Sequence, residues 1–288
     1  MILSILLPYW GDVNYMKLAI KSVLEQTSSN WRLYILDDNY PGNAIEDYVN
    51  SLSHSRITYS RNPTNLGANG NFRKALELIE TPYFMMFGSD DILVANYVET
   101  IMKQVLTNPE VSMFQPGVDV INEDGDTVKT LVDSVKKMIR PKDGVYSGSR
   151  LAARLMIGNF AYFPSITWKT EDVRTVGFRN NYNVTQDLAL ICNLLVANGK
   201  LLISSNQIFH YRRHGDSDSS LKLITGARFS EEIELCNEMS GIFRAKKWFL
   251  AFLAAQMRIS VRVHMLLVLP QVILKPRIFL QILKGALL

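Results

Sequence analysis

Apolar runs alternate with segments of helical periodicity along the first half of the chain. The runs predict buried strands at Ile2–Leu7, Leu33–Leu36, Ile57–Tyr59 and Tyr83–Phe87. The segments that follow them space their apolar residues as helices do, over Asn14–Gln26, Ala44–Leu52, Asn71–Ile79 and Asn96–Leu106. Strands that alternate with helices predict an α/β fold, in which helices flank both faces of a mostly parallel sheet.

The remaining chain is less regular but contains two further helical patterns. These cover Ser149–Ile157 and Thr185–Asn198, and a polar segment at residues 211–220 precedes a tail that is helical in pattern to its end. We therefore expect one α/β domain over residues 1–220 and a helical extension over residues 221–288.

Acidic residues follow three of the predicted strands. Asp12 comes after the first strand, Asp37 and Asp38 after the second, and Asp90 and Asp91 after the fourth. Open parallel sheets bind ligands beyond the carboxyl ends of their strands, so these carboxylates are expected to converge. The convergence predicts a ligand site at this edge of the sheet.

The composition fits a domain with a large buried core in a reducing compartment. Of the 288 residues 48% are hydrophobic, and the two cysteines, Cys192 and Cys236, lie outside any CxxC or Cys/His cluster. Their isolation disfavours a zinc site or a disulfide framework. The apolar opening residues lack a basic segment and a cleavage site, so they indicate a first strand rather than a signal peptide.

Charge is distributed unevenly along the chain. Residues 239–288 contain eight Lys and Arg and no Asp or Glu, whereas residues 1–238 contain 23 basic and 27 acidic residues. A basic tail predicts an anionic partner, and its apolar character favours a membrane surface over nucleic acid.

The tail has the pattern of a basic amphipathic helix rather than of a spanning one. Its longest uncharged stretch toward the end, Met265–Leu274, is shorter than the ~20 apolar residues that a spanning helix needs. Arg277, Gln281 and Lys284 share one helical face, which is typical of helices lying on anionic lipid. A helix packed on the first domain, or an oligomer contact, is the alternative.

The segment from Gly88 to Asp91 is a candidate metal and phosphate site. Carboxylates at a strand end can hold Mg²⁺ or Mn²⁺, which bridge phosphates and neutralise a diphosphate leaving group. The alternative is that Ser89 or Asp90 caps the helix that follows.

Two other polar segments have a structural alternative to a ligand role. Asp37 and Asp38 can accept hydrogen bonds from a nucleobase or a ribose, but Asp clusters also begin turns. Between Asn65 and Asn71, glycines allow a ligand to approach the backbone and the helix that follows favours anions, although no P-loop sequence is present.

Asp187 and the segment from Arg212 to His214 are candidates for catalysis and phosphate binding. Asp187 starts a strong helix, where a carboxylate can serve as a general base or simply stabilise the first turn. Arg212, Arg213 and His214 can bind phosphate oxygens, or they can form a solvated basic loop.

Taken in order, these segments resemble the GT-A glycosyltransferases of family 2 over Ile2–Ser220. The matching segments are ILLPYWGDVNYMKLAIKSVLEQTSSNWRLYILDDN, NPTNLGANGNFRKAL, PYFMMFGSDDIL, VGF, QD and YRRHGDSDSS. The resemblance implies a Rossmann-like GT-A fold, a nucleotide-sugar donor, Mg²⁺ or Mn²⁺, and a single displacement that inverts the anomeric carbon.

The resemblance also implies roles for single residues. Asp187 would deprotonate the acceptor hydroxyl, Asp90 and His214 would bind the metal ion, and Trp10 would stack on the base. The residues that would line the nucleotide-sugar pocket are Pro8, Trp10, Asp12, Asp37, Asp38, Asn65, Gly67, Ser89, Asp90, Asp91, Arg212 and Arg213.

Two positions depart from the family pattern. Gly88 stands where the family has the first Asp of its DxD motif, so contacts attributed to that carboxylate are lost. Gln186 stands where the family often has Glu, which removes a like charge that would raise the pKa of Asp187.

By analogy with the family, the acceptor is a polyprenyl-diphosphate-linked saccharide, used in O-antigen or capsule assembly. The enzyme would then be peripheral, at the cytoplasmic face of the inner membrane. The alternative is a non-catalytic relative that binds nucleotide-sugars or acts as a scaffold. Gly88 favours that alternative, whereas the retention of Asp90, Asp187 and the Arg/His segment opposes it.

Overall fold

The computed structural model of the protein describes residues 1–179, 181–214 and 227–268. Its nine strands form one mixed sheet in the order β3-β2-β1-β4-β8-β6-β9-β5, with β7 also paired to β9. The strands are β1 (Leu3–Tyr9), β2 (Trp31–Asp37), β3 (Ile57–Arg61), β4 (Tyr83–Met86), β5 (Ile92–Leu93), β6 (Met113–Ile121), β7 (Gly144–Ser147), β8 (Thr167–Lys169) and β9 (Lys200–Arg212).

The sheet is parallel across β3, β2, β1 and β4, and again between β6 and β9. β8 runs antiparallel between β4 and β6, and β5 and β7 pair antiparallel with β9. The predicted α/β fold with a mixed, mostly parallel sheet is confirmed.

Helices cover both faces of this sheet. Successive side chains of β1 point to opposite faces, so Ile5 and Leu7 pack in one buried cluster and Leu6 in the other. The described helices are α1 (Val13–Leu24), α2 (Ala44–Leu52), α3 (Gly67–Glu77), α4 (Tyr97–Thr107), α5 (Leu131–Ile139), α6 (Gly148–Ile157), α7 (Thr170–Val176), α8 (Gln186–Val196), α9 (Ala227–Ala245), α10 (Phe249–Met257) and α11 (Ile259–Val268).

Helix α3 begins four residues before the predicted start at Asn71, at Gly67. Glycine and asparagine are weak helix formers, so residues 67–70 did not look helical in the sequence. Gly67 adopts a positive φ of 69°, a conformation that glycine reaches without steric cost. Asn69 and Asn71 lie in the first turns of α3 and are buried, so tertiary hydrogen bonds override their low propensity.

Helices α9 to α11 share a core with the rest of the fold. Phe229, Met239 and Phe243 of α9 lie in the same buried cluster as Leu190 and Leu194 of α8. The extension therefore packs on the sheet domain over residues 227–268. The expected boundary near residue 220 and the amphipathic face formed by residues 277–284 lie outside the described residues.

An apolar stretch of 18 residues, Phe249–Leu266, runs through α10 and α11 with a mean hydropathy of 1.3. By length and composition alone this stretch suffices to cross a membrane, a possibility that the sequence pattern did not indicate. Arg258, at a positive φ of 49°, separates the two helices. Ala251 and Ala255 of α10 are buried in the core, whereas Phe249 is 67% exposed.

Candidate active site

The carboxyl ends of β1 and β4 lie side by side, as the sequence predicts. Asp12 follows β1 and serves as the N-cap of α1, because its Oδ1 accepts hydrogen bonds from the backbone N–H groups of Asn14 (2.7 Å) and Tyr15 (2.9 Å). Gly11, after β1, lies close to Ser89, after β4, because a Cβ placed on Gly11 would be 3.8 Å from the Ser89 Oγ.

An aromatic corner adjoins these strand ends. Trp10 is half exposed, and its ring lies edge-on to Tyr40 at 5.5 Å between centroids. Tyr40 in turn contacts the buried Tyr9 at 4.9 Å, beside the partly buried Pro8. The exposed half of Trp10 is accessible to a ligand. Tyr40 was not among the residues predicted from the sequence.

Asp37 and Asp38 are buried at the end of β2 and organise the neighbouring loops. Asp37 accepts hydrogen bonds from the Tyr40 backbone N–H (2.7 Å) and the Tyr59 hydroxyl (2.6 Å), one on each carboxylate oxygen. Asp38 accepts from the Asn62 side chain (2.8 Å) and the Leu66 backbone N–H (2.9 Å), both on Oδ1.

The loop before α3 is fixed by asparagine side chains. Asn65 accepts a hydrogen bond from the backbone N–H of Gly67 at 2.9 Å. Asn71 accepts from Asn62 at 3.0 Å and donates to the carbonyl of Leu36 at the same distance. This network attaches the loop to the end of β2, so Asn65 and Gly67 lie on the same side of the sheet as Asp38.

Asp90 and His214 come together from distant parts of the chain. The Nε2 of His214 lies 2.9 Å from the Oδ2 of Asp90. Within the described residues no group of three or more His, Cys, Asp or Glu side chains gathers to hold a metal by itself. Mg²⁺ at phosphate sites is typically held by one or two carboxylates, with phosphate and water oxygens as the other ligands. The pair therefore fits a metal ion that a bound diphosphate helps to coordinate.

Asp91 is buried directly behind this pair. Its Oδ1 accepts a hydrogen bond from the backbone N–H of Arg212 at 2.9 Å, and its buried Oδ2 has no partner among the described residues. Burial, followed by the negative charge of Asp90, raises the pKa of Asp91 well above its ordinary value, although Arg212 opposes the shift. A cation bound at Asp90 would relieve this repulsion, which supports the fit of a metal ion.

Arg212 and Arg213 are engaged by the protein rather than solvated. The buried Arg212 donates to the backbone carbonyls of Asp90, Asn122 and Glu123 at 2.8 to 2.9 Å. Arg213 donates to both carboxylate oxygens of Asp133, at 2.9 and 2.6 Å. Both side chains therefore hold loops around the site, and any phosphate contact would come in addition to these bonds.

Asp187 lies in the first turn of α8 and is half-buried. Its Oδ1 accepts a hydrogen bond from the Leu188 backbone N–H (2.6 Å), and its Oδ2 accepts one from the Asn159 side chain (3.2 Å). Burial raises the pKa of Asp187 above its ordinary value, and the Leu188 N–H, the nearby Lys136 ammonium and the Arg228 guanidinium partly offset this effect. A carboxylate of this kind is a stronger base than an exposed one.

Helix α5 brings Lys136 between Asp187 and Arg213, which no sequence pattern indicated. The Lys136 ammonium donates to the carbonyl of Ala161 (3.0 Å) and lies 4.1 Å from the centre of the Tyr162 ring. Burial, followed by the charge of Arg213, lowers the pKa of Lys136 to about 8. No motif marks Lys136 or Asn159, because their position depends on how α5 and the loop after α6 pack.

Helix α9 fixes the loop that carries Asp187. A carboxylate oxygen of Glu231 accepts hydrogen bonds from three consecutive backbone N–H groups, those of residues 183, 184 and 185, at 2.8 to 3.3 Å. Glu238 accepts from the side chains of Arg179 and Tyr182. The position of the candidate base therefore depends on the C-terminal extension.

Comparison with known proteins places the chain in a family. The sequence model described as glycosyl transferase family 2 matches residues 4–169, more than half of the chain. The chain belongs to this family. The matched region contains the strand ends that carry Asp12, Asp37, Asp38 and Asp90.

Two curated glycosyltransferases are similar to this chain in sequence. A putative colanic acid biosynthesis glycosyl transferase, WcaA of Escherichia coli K12, is 33% identical over 102 residues, which cover 35% of this chain and 37% of WcaA. WfgD of Escherichia coli, a UDP-Glc:alpha-D-GlcNAc-diphosphoundecaprenol beta-1,3-glucosyltransferase, is 31% identical over 121 residues, which cover 42% of this chain and 47% of WfgD. The chain thus matches less than half the length of either relative.

A solved glycosyltransferase structure shows the same fold. Residues 1–349 of TarS from S. aureus, in complex with UDP-GlcNAc, superpose with a TM-score of 0.69 at 12% identity. The superposition covers 90% of this chain and 74% of that TarS chain. Together with the family match, this confirms the GT-A fold.

Proposed function

We propose that the protein transfers a sugar, with inversion, from a nucleotide-diphospho-sugar to a hydroxyl of a lipid-linked saccharide during surface polysaccharide synthesis. The observation that carries the proposal is Asp187, a half-buried carboxylate that is held by Leu188 and Asn159 and whose pKa is raised by burial. The family supports a glycosyltransferase in general, and the names of WcaA and WfgD support polysaccharide synthesis.

The donor would bind along the carboxyl ends of β1, β2 and β4. Trp10 would stack on the base, while Asp38 and the loop at Asn65 and Gly67 would contact the nucleoside. Asp90 and His214 would hold Mg²⁺ or Mn²⁺, which supplies positive charge for the leaving diphosphate. Their 2.9 Å separation supports this assignment.

Asp187 would act as the general base. In a single displacement the acceptor oxygen attacks the anomeric carbon while the bond to the diphosphate breaks, and the hydroxyl proton passes to the carboxylate. The reaction needs no nucleophile from the protein, so one positioned carboxylate suffices. Asn159 would keep that carboxylate in place through its hydrogen bond to Oδ2.

The relatives and the tail support a proposal for the substrates. WfgD is named for UDP-Glc and a GlcNAc-diphosphoundecaprenol acceptor, so we propose hexosyl or deoxyhexosyl transfer to a polyprenyl-diphosphate saccharide. The exposed apolar residues of α10, together with the basic residues around it, support a peripheral position at the cytoplasmic face of the inner membrane.

A second candidate function is nucleotide-sugar binding without turnover. Gly88 favours it, because a Cβ there would lie 2.4 Å from the Oδ2 of Asp91, so the backbone leaves no room for the first carboxylate of a DxD motif. The site would then have fewer acidic ligands for a catalytic metal.

A donor screen separates the two functions. UDP-, GDP- and dTDP-sugars are incubated with Mn²⁺ or Mg²⁺ and membrane extract, with wild type, Asp90→Ala and Asp187→Asn compared for release of nucleoside diphosphate. We expect metal-dependent release of one nucleotide, reduced at least ~100-fold in both variants, with donor binding retained in Asp187→Asn. Donor binding by the wild type without release in any mixture would establish the binding protein instead.

A further inference from the structure

A cationic cavity lies beside the candidate base. It has a volume of about 420 Å³ and is bounded by β6, β9 and α5. Four basic side chains line it, those of Lys129, Lys136, Lys137 and Arg140, against the two acids Asp119 and Asp133. Asp133 is already neutralised by its two hydrogen bonds from Arg213. Arg140 is likewise paired, with Asp143 at 3.9 Å. The three lysines against Asp119 still leave the cavity with a net positive charge, which suits an anion.

A buried polar group in the wall of the cavity also lacks a partner. Gln115 is 1% exposed and lines the cavity, and its Oε1 accepts no hydrogen bond from the residues that the structure describes. A buried amide oxygen left unpaired costs free energy, so a ligand that donates a hydrogen bond would stabilise it. A sugar hydroxyl next to an anionic group meets this requirement.

Helix α5 is amphipathic, but its polar side rather than its apolar side faces the protein. Its polar side, with Lys136, Lys137 and Arg140, faces the cavity. Most of its apolar side faces solvent, and only Ile139 at its end packs on the core. Leu131 and Met138 on that side are 74% and 78% exposed, and no residue of α5 is fully buried. An exposed apolar side next to basic residues is typical of helices that lie at a membrane interface.

The cavity adjoins the reacting end of the site. Lys136 and Tyr162 line the cavity, and the Lys136 ammonium is close enough to Asp187 to lower its pKa. The same loop, residues 159–162, supplies Asn159 to the Asp187 carboxylate and Tyr162 to the cavity wall. An acceptor whose hydroxyl reaches Asp187 can thus extend into the cavity.

We propose that this cavity binds the diphosphate of an isoprenoid-diphosphate acceptor, with the apolar side of α5 in the bilayer that holds the isoprenoid chain. The inference rests on the proposed function and adds to it the subsite for the acceptor anion. The apolar side of α5 favours a lipid diphosphate over a free one, because only the lipid has a chain to place in the membrane.

Calorimetric titration of the full-length protein with farnesyl diphosphate, without divalent metal, tests the assignment. The variant Lys136→Gln/Lys137→Gln loses two cavity charges, and Lys103→Gln/Lys142→Gln loses two charges outside the cavity lining. We expect at least about tenfold weaker binding in the first variant and wild-type binding in the second. The single variant Lys137→Gln, whose side chain is exposed, guards against misfolding and is expected to weaken binding in the same direction.

Two further measurements distinguish binding of the lipid diphosphate from binding of free pyrophosphate and from binding in the donor pocket. In the presence of lipid vesicles, pyrophosphate is expected to bind more weakly than farnesyl diphosphate. The variant Leu131→Ser/Met138→Ser is expected to bind the two ligands equally. Asp90→Ala is expected to bind farnesyl diphosphate as the wild type does. Equal affinities of pyrophosphate and farnesyl diphosphate, no binding by the wild type, or unchanged binding by the cavity variants would overturn the proposal.

These outcomes are independent of the donor screen. Metal-dependent nucleotide release with unchanged farnesyl diphosphate binding in the cavity variants would remove only the acceptor subsite. Binding lost in those variants, without any nucleotide release, would remove only the proposed transfer.

Discussion

At the scale of single residues, the close contact between Gly88 and the Asp91 carboxylate determines which residue can follow β4. Gly88 packs against the buried carboxyl of Asp91, whose other oxygen is held by the backbone N–H of Arg212. The glycine at this position is therefore required by Asp91, and a carboxylate at residue 88 is incompatible with this packing.

Gly88→Ala is expected to destabilise the protein by about 1–3 kcal/mol and to weaken nucleotide binding, because the new methyl group would overlap the Oδ2 of Asp91. Denaturant unfolding and nucleotide titration measure the two effects. Gly11→Ala is the matched control, since its Cβ would meet only the Ser89 Oγ at an ordinary 3.8 Å. Equal stability of the two variants would contradict the packing argument.

Asn159→Ala is expected to move the acidic limb of the kcat/KM profile to higher pH. Asn159 donates to the ionised form of Asp187, so removing it raises a pKa that burial has already raised, and the base is protonated at a higher pH. A series of rate measurements between pH 4 and pH 8 gives the limb. Asn50→Ala, on the exposed side of α2, serves as the control.

At the scale of elements, the first four strands end within two residues of their expected positions, because buried parallel strands read as continuous apolar runs. The second half of the sheet was not predictable in this way. β6 contains Pro116 and Gly117, where its register with β9 shifts, and β9 has the polar run Ser204–Gln207 at its middle. Neither sequence has the periodicity of a strand.

The candidate site likewise has one part that the sequence predicted and one part that it did not. The resemblance to family 2 assigned Asp90 and His214 to one metal ion, and the structure places them 2.9 Å apart. The surroundings of Asp187 are set by α5, α9 and the loop after α6, which no local pattern places. Lys136 and Asn159 are therefore visible only in the folded structure.

Glu231→Ala is expected to lower kcat/KM at least ~tenfold, because three backbone N–H groups before α8 lose their common acceptor and Asp187 moves with them. Steady-state kinetics with the identified donor measure the change. Glu234→Ala removes a single contact, 3.2 Å to the Asn181 side chain, and is expected to leave kcat/KM within twofold. Similar losses in both variants would show that α9 acts only through general stability.

At the scale of the whole molecule, apolar residues are exposed on α5 and again on α10. Helix α6 packs against α10, and a Cβ on Gly158, just after α6, would meet Ile139 at the end of α5. The two exposed apolar surfaces therefore flank one helix. Such surfaces on a basic protein are typical of a membrane-binding side.

Phe249→Glu/Leu250→Glu is expected to abolish sedimentation with anionic liposomes at low salt, because the exposed apolar side of α10 would carry negative charge. Leu106→Glu on α4, where the leucine is also 67% exposed, is expected to sediment as the wild type does. Raising the salt concentration should weaken the binding of the wild type by screening. Binding of the α10 variant to the same extent as the wild type would exclude this surface.

The attachment of α9 to the loop before Asp187 has a consequence for chimaeric enzymes. A fusion joined near residue 220 would combine the loop of one parent with the helix of another, and Glu231 and Glu238 would lose the partners for which they are placed. Recombination that aims to exchange acceptor preference should therefore move residues 179–185 and α9 as one block. Libraries with crossovers on either side of that block are expected to yield more active members than those with a crossover inside it.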